Sequence, residues 1–158
     1  MAKILILTGA HLCTAPRPQK EADSLSAAGH EVIVRGIWFD PVLVDRDRHL
    51  MHQNLMHQNI MRQKPWKFLP VLDFRPDRPL DHWRTRLKAR LARQRFQQSG
   101  KVSPALLGYG ARAMLKAALQ EKADLTIVHS EAGLWVGEQL LQRGFRVGID
   151  FEDWFSQT

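Results

Sequence analysis

The fold is decided by the opening of the chain, where KILILTG (residues 3–9) is followed, after a loop and a helical stretch, by EVIVRGIWF (residues 31–39). Both segments contain short, continuous apolar runs, which are typical of strands buried on both faces of a parallel sheet. Between them, residues 19–28 carry apolar side chains at helical spacing. The opening therefore predicts a β-α-β unit, the compact form of a parallel crossover.

The alternation of strand and helix patterns continues to the end of the chain. Further strands are predicted at residues 66–74, 125–129 and 145–150, and helices at residues 80–98, 105–122 and 131–143. We therefore expect an α/β fold, a three-layer Rossmann-like domain whose mostly parallel open sheet has about five or more strands. The expected strand order is 3-2-1-4-5.

A direct repeat interrupts this alternation, MHQNL (residues 51–55) followed by MHQNI (residues 56–60). A five-residue period matches neither a helix face nor a strand face. We interpret the repeat as a local duplication in a helical or irregular surface segment.

Length and composition indicate one globular domain. The chain has 158 residues and a single cysteine, so an internal disulfide framework is excluded and a reducing compartment is favoured. The apolar runs are too short for a membrane span or for the core of a signal peptide. The expected location is the cytoplasm, or a peripheral position on the inner face of the membrane.

The basic charge of the chain is concentrated in its middle third. The net charge is +7, yet residues 45–101 hold fourteen basic and five acidic groups. A local excess of this kind attracts phosphate-rich partners such as nucleic acid, anionic lipid headgroups or phosphorylated substrates. A solvated face that aids solubility is the alternative interpretation.

In a sheet of this order, ligands bind beyond the carboxyl ends of the strands, near the switch in strand order. Three predicted loops meet there, residues 8–17, 129–131 and 150–153. The first loop contains Gly9 but neither the dinucleotide-binding glycine fingerprint nor a phosphate-binding P-loop.

Basic residues stand at the start of the first predicted helix. Arg17 and Lys20 lie near its first turn, where the helix dipole disfavours cations. An anionic ligand, phosphate or carboxylate, would explain them. An internal pair between Arg17 and Glu21, four residues later, is the alternative.

The other two loops carry hydrogen-bonding and acidic side chains. His129 ends a strand and is expected either to bond a substrate hydroxyl or act as a base, or to hold a neighbouring loop. Glu131 either contacts the ligand or stabilises the start of the next helix. Asp150, Glu152 and Asp153 suit sugar hydroxyls as acceptors, with an N-cap role at Asp153 as the alternative.

Other candidates are weaker. His11 lies in the first loop and either touches the ligand or faces solvent. Cys13 would need a base and a lowered pKa to act as a nucleophile. The acidic and histidine residues between positions 45 and 57 do not have the spacing of a known metal-ligand set, so no metal site is expected; they are Asp45, Asp47, His49, His52 and His57.

Three segments carry a resemblance to a known family. They are APRPQKEADSL with AGHEV (residues 15–25 and 28–32), ADLTIVHSEAGL (residues 123–134) and DFEDWFS (residues 150–156). In their order and their place in the predicted sheet, they resemble the N-terminal, acceptor-side domain of GT-B glycosyltransferases of the group 1, family 4-like type.

The resemblance implies a division of labour between two domains. The acceptor, a glycan or glycolipid, would be bound mainly by this domain, through Gly9, His11, Arg17, Lys20, Glu131, Asp150 and Glu152. His129 and Asp153 would be catalytic. The nucleotide-sugar donor would bind mainly the C-terminal domain of the same chain, so no cofactor is expected here. The sequence ends where that second domain would begin, and the expectation is a domain that transfers no sugar alone.

The resemblance also gives the basic middle a more specific interpretation. In the helix at residues 80–98, Leu80, Trp83, Leu87 and Leu91 form one stripe bordered by basic residues that would bind membrane or anion, among them Arg84, Lys88, Arg93 and Arg95. The alternative is a stripe packed on the sheet. A basic module that binds nucleic acid or another anionic ligand without catalysis is the rival function. The sequence has no aromatic interleaving, zinc pattern or recognition helix, so nucleic acid is not expected as a partner.

Overall fold

A computed structural model describes residues 1–55 and 60–151. In chain order the elements are β1 (Lys3–Leu7), α1 (Pro16–Ala27), β2 (Glu31–Trp38), α2 (Pro41–Met51), β3 (His52–Leu55), β4 (Ile60–Gln63), β5 (Lys67–Asp73), α3 (Pro79–Ser99), α4 (Ala111–Glu121), β6 (Leu125–Val128), α5 (Ser130–Leu141) and β7 (Val147–Ile149). Short 3-10 turns lie at Leu12–Thr14 and Pro104–Leu106.

The main sheet has five strands in the order β5-β2-β1-β6-β7, and each neighbouring pair is parallel. Numbered within this sheet alone, the order is 3-2-1-4-5, so the predicted fold class and strand order are confirmed. The switch in order falls between β1 and β6, where the loops after these two strands diverge.

The central position of β1 in the sheet explains why residues 4–7 are all apolar. Its Leu5 and Leu7 join a core under α4 and α5, while Ile4 and Ile6 join a second core under α1. Because successive side chains of a strand point to opposite faces, a strand covered on both sides needs apolar residues throughout. Each fully buried side chain of this size stabilises the fold by about 1.5–3 kcal/mol.

The edge position of β5 accommodates a proline. Pro70 lies opposite Gly36 of β2, and the register shifts between Gly36 and Ile37. Proline lacks a backbone N–H, so it is tolerated where a strand has a neighbour on one side only.

The repeat at residues 51–60 does not form a helical or irregular segment, so that interpretation is wrong for its described part. Strand β3, in the first copy, pairs antiparallel with β4 in a two-stranded hairpin. Leu55 and Ile60, the last residues of the two copies, are register partners. Residues 56–59 lie outside the described part of the chain. Cross-strand pairing, which the five-residue period does not encode, decides the conformation.

Helix α3 forms where it is predicted, but its apolar stripe does not pack on the sheet. Ala89 and Ala92 are its buried residues, whereas Leu80 and Trp83 are 78% and 65% exposed. The alternative interpretation of this stripe is therefore wrong. Small side chains form the inner face because the helix lies close to the turn at Pro104–Leu106.

In the described ranges, no helix combines the length and the apolar character needed to cross a bilayer.

Candidate functional site

Backbone pairing at the carboxyl edge of the sheet brings the predicted loops together. The ladder between β1 and β6 is extended by a hydrogen bond from His129 N–H to Leu7 O (2.9 Å), and the ladder between β6 and β7 by one from Asp150 N–H to Val128 O (3.1 Å). His129 and Asp150 therefore stand side by side at the ends of adjacent strands. Arg17 and Glu21 of α1 contact them.

The imidazole of His129 is fully buried and lies between two carboxylates. Its Nε2 is 2.9 Å from Glu21 Oε2, and its Nδ1 is 3.2 Å from Asp150 Oδ2. A neutral imidazole has one N–H and donates to one carboxylate, whereas an imidazolium donates to both. The two half-buried carboxylates fix the ring plane, so the position of this side chain is set by charge and hydrogen bonding together.

Arg17 extends this cluster toward solvent. Its Nη1 lies 3.5 Å from Asp150 Oδ1 and 3.4 Å from the carbonyl oxygen of Phe151. The prediction of an internal pair between Arg17 and Glu21 is wrong, because Glu21 turns to His129 and Arg17 to Asp150. We call Arg17, Glu21, His129 and Asp150 the edge cluster.

Three members of the edge cluster also have the chemistry of metal ligands. Glu21, His129 and Asp150 each offer a ligand-type atom within 4.8 Å of the others. Nε2 is within hydrogen-bond distance of Glu21, and Nδ1 lies 3.2 Å from Asp150 Oδ2. The cluster is therefore described as a buried imidazole held between two carboxylates.

The first loop approaches α5 closely at Gly9. A Cβ atom built on Gly9 would lie 2.8 Å from Ser130 Oγ. Ser130 itself has a φ of 69°, a left-handed conformation that non-glycine residues rarely adopt. Its buried Oγ finds no hydrogen-bond partner within the described ranges. Strain and an unpaired hydroxyl at the carboxyl edge of a sheet are typical of functional sites.

A cavity of about 400 Å³ opens beside these residues. Gly9 and Ser130 are among its lining residues, and aromatic rings line it as well, with Phe74 6.0 Å from Phe39 and 4.9 Å from Tyr109 between ring centroids. We call it the aromatic cavity. Concave sites with apolar walls and a few converging polar groups are typical of ligand binding.

His11 is fully buried, so the expectation of a solvent-facing ring is wrong. Its Nδ1 donates to Asp47 Oδ2 (3.0 Å), and its Nε2 accepts from the backbone N–H groups of Phe39 and Asp40 (both 3.1 Å). Both ring nitrogens are thus used inside the protein. His11 holds the first loop against the end of β2. Because both ring nitrogens are engaged inside the protein, neither is free for the predicted contact with a ligand.

The remaining loop candidates serve structure. Burial raises the pKa of the Cys13 thiol to about 11, helped by its proximity to the Asp47 carboxylate, so the thiol is not an activated nucleophile. Asp47 also accepts hydrogen bonds from Cys13 N–H (2.7 Å) and Trp38 Nε1–H (3.0 Å). Asp45, by contrast, pairs with Arg48 in solvent, so these two acidic residues do not converge on one site.

The other predicted site residues are spread over the surface around the carboxyl edge. Lys20 is exposed on α1, and Glu131 is exposed in the first turn of α5, where it lines the aromatic cavity. The four predicted anion-binding side chains are exposed on α3; they are Arg84, Lys88, Arg93 and Arg95. Glu152 and Asp153 lie outside the described residues, so their predicted roles stay predictions.

Two parts of the site are not among the site residues predicted from the sequence. Glu21 shares a helix face with Arg17, four residues earlier, so helical spacing alone could have placed it in the crevice. The aromatic cavity could not have been found this way, because Phe39, Phe74 and Tyr109 come from segments with no common motif.

Comparison of the chain with protein-family models, curated proteins and solved structures gave no match.

Proposed function

We propose that this chain is the acceptor-binding half of a glycosyltransferase, which holds a glycan or lipid-linked acceptor while a sugar is transferred to it from a nucleotide-sugar. The observation that carries the proposal is the edge cluster. Its members come from α1 and from the ends of β6 and β7, yet they meet at the point where an open parallel sheet binds its ligands.

The chemistry of the edge cluster suits a hydroxyl-rich ligand. Glu21 and Asp150 are half-buried and keep acceptor oxygens for sugar hydroxyls beside the buried imidazole. His129 can take or give a proton at an acceptor hydroxyl once a ligand displaces one of its carboxylate partners. Arg17, half-exposed at the rim, offers a guanidinium to an anionic group.

The division of labour in the proposal follows the family resemblance. The nucleotide-sugar would bind mainly a C-terminal domain of the same chain, and this domain contributes the acceptor side. Catalysis would need both halves, because stabilisation of the leaving nucleotide diphosphate is supplied from the donor side.

Sugar binding to this chain tests the proposal directly. In two-dimensional NMR titrations with a panel of neutral methyl glycosides, we expect shifts at backbone amides near Gly9, His129 and Ser130. Glu21→Gln should weaken the interaction about tenfold, since one charge-assisted hydrogen bond is lost. Glu138→Gln, an exposed glutamate on α5, is the matched control. Shifts that avoid the carboxyl edge, or that are equal in both variants, would contradict the proposal.

We also propose that α3 docks the domain on an anionic membrane surface. Its apolar side chains point away from the sheet, with Leu80, Trp83 and Leu91 all exposed. Six basic residues and one acidic residue lie on the same helix. An apolar stripe bordered by cations is typical of interfacial helices, and each basic residue near an anionic surface contributes about 1 kcal/mol.

A charged residue placed in the apolar stripe of α3 distinguishes specific membrane docking from nonspecific adsorption. Leu91→Glu should abolish co-sedimentation with vesicles that contain phosphatidylglycerol, while Leu141→Glu, at a similarly exposed leucine of α5, should leave it unchanged. Equal binding to neutral and anionic vesicles at low salt would contradict docking. Binding to DNA or RNA with a steep salt dependence, and to no vesicle, would favour the rival function of a nucleic-acid-binding module.

A further inference from the structure

A basic groove along α3 adjoins the aromatic cavity. The groove measures about 700 Å³ and is lined by Arg86, Arg90, Arg93, Gln94, Gln97 and Tyr109. Arg86 and Tyr109 line the cavity as well. The two concavities therefore lie next to each other and share these two residues.

The groove follows one face of the helix. Arg86, Arg90 and Arg93 are spaced by four and three residues, which places them on one side of α3. This side is next to the stripe of Leu80 and Trp83 but distinct from it.

The charges of this groove are uncompensated. Arg90 and Arg93 make no ion pair with any described residue, and among the polar groups of the described ranges Arg86 Nη1 contacts only His82 Nε2 (3.4 Å). By contrast, the mostly buried Arg35 forms an ion pair, with its Nη2 2.6 Å from Glu121 Oε1. A row of unpaired guanidinium groups favours a phosphate-bearing partner.

The cavity selects a different chemistry. Its aromatic wall suits the face of a sugar ring, and Ser130 is also among its lining residues. Glu131 lines the cavity and is absent from the groove lining. Its carboxylate accepts hydrogen bonds from hydroxyl groups and repels phosphate, so it sets the direction in which an anionic sugar would lie.

We infer that the cavity and the groove together bind a phosphorylated sugar, with the sugar ring in the aromatic cavity and its phosphate or diphosphate against Arg86, Arg90 and Arg93. This inference rests on the proposed acceptor-binding function and names the class of acceptor. The phosphate belongs to the sugar ligand itself; a phosphate of a lipid headgroup in a membrane is the other source of the same chemistry.

Calorimetry on the chain with hexose 1-phosphates, the matching methyl glycosides and inorganic phosphate separates these sources. We expect hexose 1-phosphates to bind at least tenfold more tightly than methyl glycosides or inorganic phosphate. The double variant Arg90→Ala/Arg93→Ala should weaken this binding about tenfold or more. Arg46→Ala/Arg146→Ala removes the same charge from exposed positions outside the groove and is the matched control.

A second variant tests the ring subsite. Phe39→Ala should weaken hexose 1-phosphate binding severalfold and leave inorganic phosphate binding unchanged, because Phe39 lines the cavity and not the groove. The exposed arginine changes leave the cores intact, and thermal unfolding verifies that each variant is folded.

Three outcomes would overturn the inference, and each outcome shows which part of it is wrong. Methyl glycosides that bind as tightly as hexose 1-phosphates would refute the phosphate subsite and leave the proposed function standing. Inorganic phosphate that binds as tightly as hexose 1-phosphates, with no response to glycosides, would refute sugar recognition and with it the proposed function. Loss of anionic vesicle binding in Arg90→Ala/Arg93→Ala, with unchanged hexose 1-phosphate binding, would assign the groove to lipid headgroups.

Discussion

Replacement of His129 by alanine removes the centre of the edge cluster and should destabilise the domain. The imidazole is fully buried, with Glu21 Oε2 2.9 Å from Nε2 and Asp150 Oδ2 3.2 Å from Nδ1. Hydrogen bonds to charged groups contribute about 1.5–3 kcal/mol each. His129→Ala would forfeit the contacts and leave a void between two carboxylates.

The net cost is smaller than the sum of these contacts. The side chains of Glu21 and Asp150 are 31% and 28% exposed, so water can solvate their carboxylates once the imidazole is gone. We therefore expect the free energy of unfolding to fall by about 2–4 kcal/mol. For a domain of this size, that corresponds to a decrease in Tm of about 5–15 °C.

Urea unfolding followed by circular dichroism gives the measurement, with His49→Ala, an exposed histidine of α2, as the control expected to change stability by less than about 0.5 kcal/mol. A double-mutant cycle of His129→Ala with Glu21→Gln should show a coupling energy of about 0.5–3 kcal/mol. A His129→Ala protein as stable as the parent, with no coupling, would refute the idea that the carboxylates hold this ring in place.

Three further predictions concern other parts of the molecule. The hydrogen bonds from Lys3 and Arg35 hold the pKa of Glu121 below its ordinary value of 4.5, against the effect of burial, so the stability that this carboxylate contributes is complete above pH 4.5 and is lost as the pH falls through the lowered pKa. Glu121→Gln should therefore reduce the free energy of unfolding by about 1–3 kcal/mol at pH 7. It should also flatten the acid dependence of this free energy between pH 5 and 3, which urea titrations across that range would measure. With its pKa raised to about 11, Cys13 should react with iodoacetamide at pH 8 about two orders of magnitude more slowly than a free cysteine, and a comparable rate would contradict the burial described. Trp83→Ala should change the Tm by less than about 2 °C, because the side chain is 65% exposed, and a large loss in a thermal melt would show that the stripe on α3 is part of a core.

The sequence predicts the fold well because its decisive signals are local. The apolar runs of β1 and β2 mark strands covered on both faces, and the alternation with helices implies a parallel sheet. It also places His129 and Asp150 at strand ends, and the topology then puts them at one edge. Arg17 follows because the helix after β1 begins at that same edge.

What the sequence could not decide depends on contacts between distant segments. His129 lies between the carboxylates of Glu21 and Asp150, and His11 is enclosed by Asp47 and the start of α2. In both cases the residue type permits either ligand binding or burial, and the packing of α1 and α2 on the sheet decides which of the two occurs.

The orientation of α3 shows most clearly what the sequence pattern determines and what only the tertiary structure decides. Periodicity establishes a helix with an apolar stripe among cations, but the same pattern fits a stripe that packs inward and one that faces solvent. Tertiary structure turns Ala89 and Ala92 inward and leaves Trp83 outside. The reason is physical: a helix rests against its neighbours by whichever face permits the closest approach, and that depends on the shape of the surface beneath it, which no local sequence pattern contains.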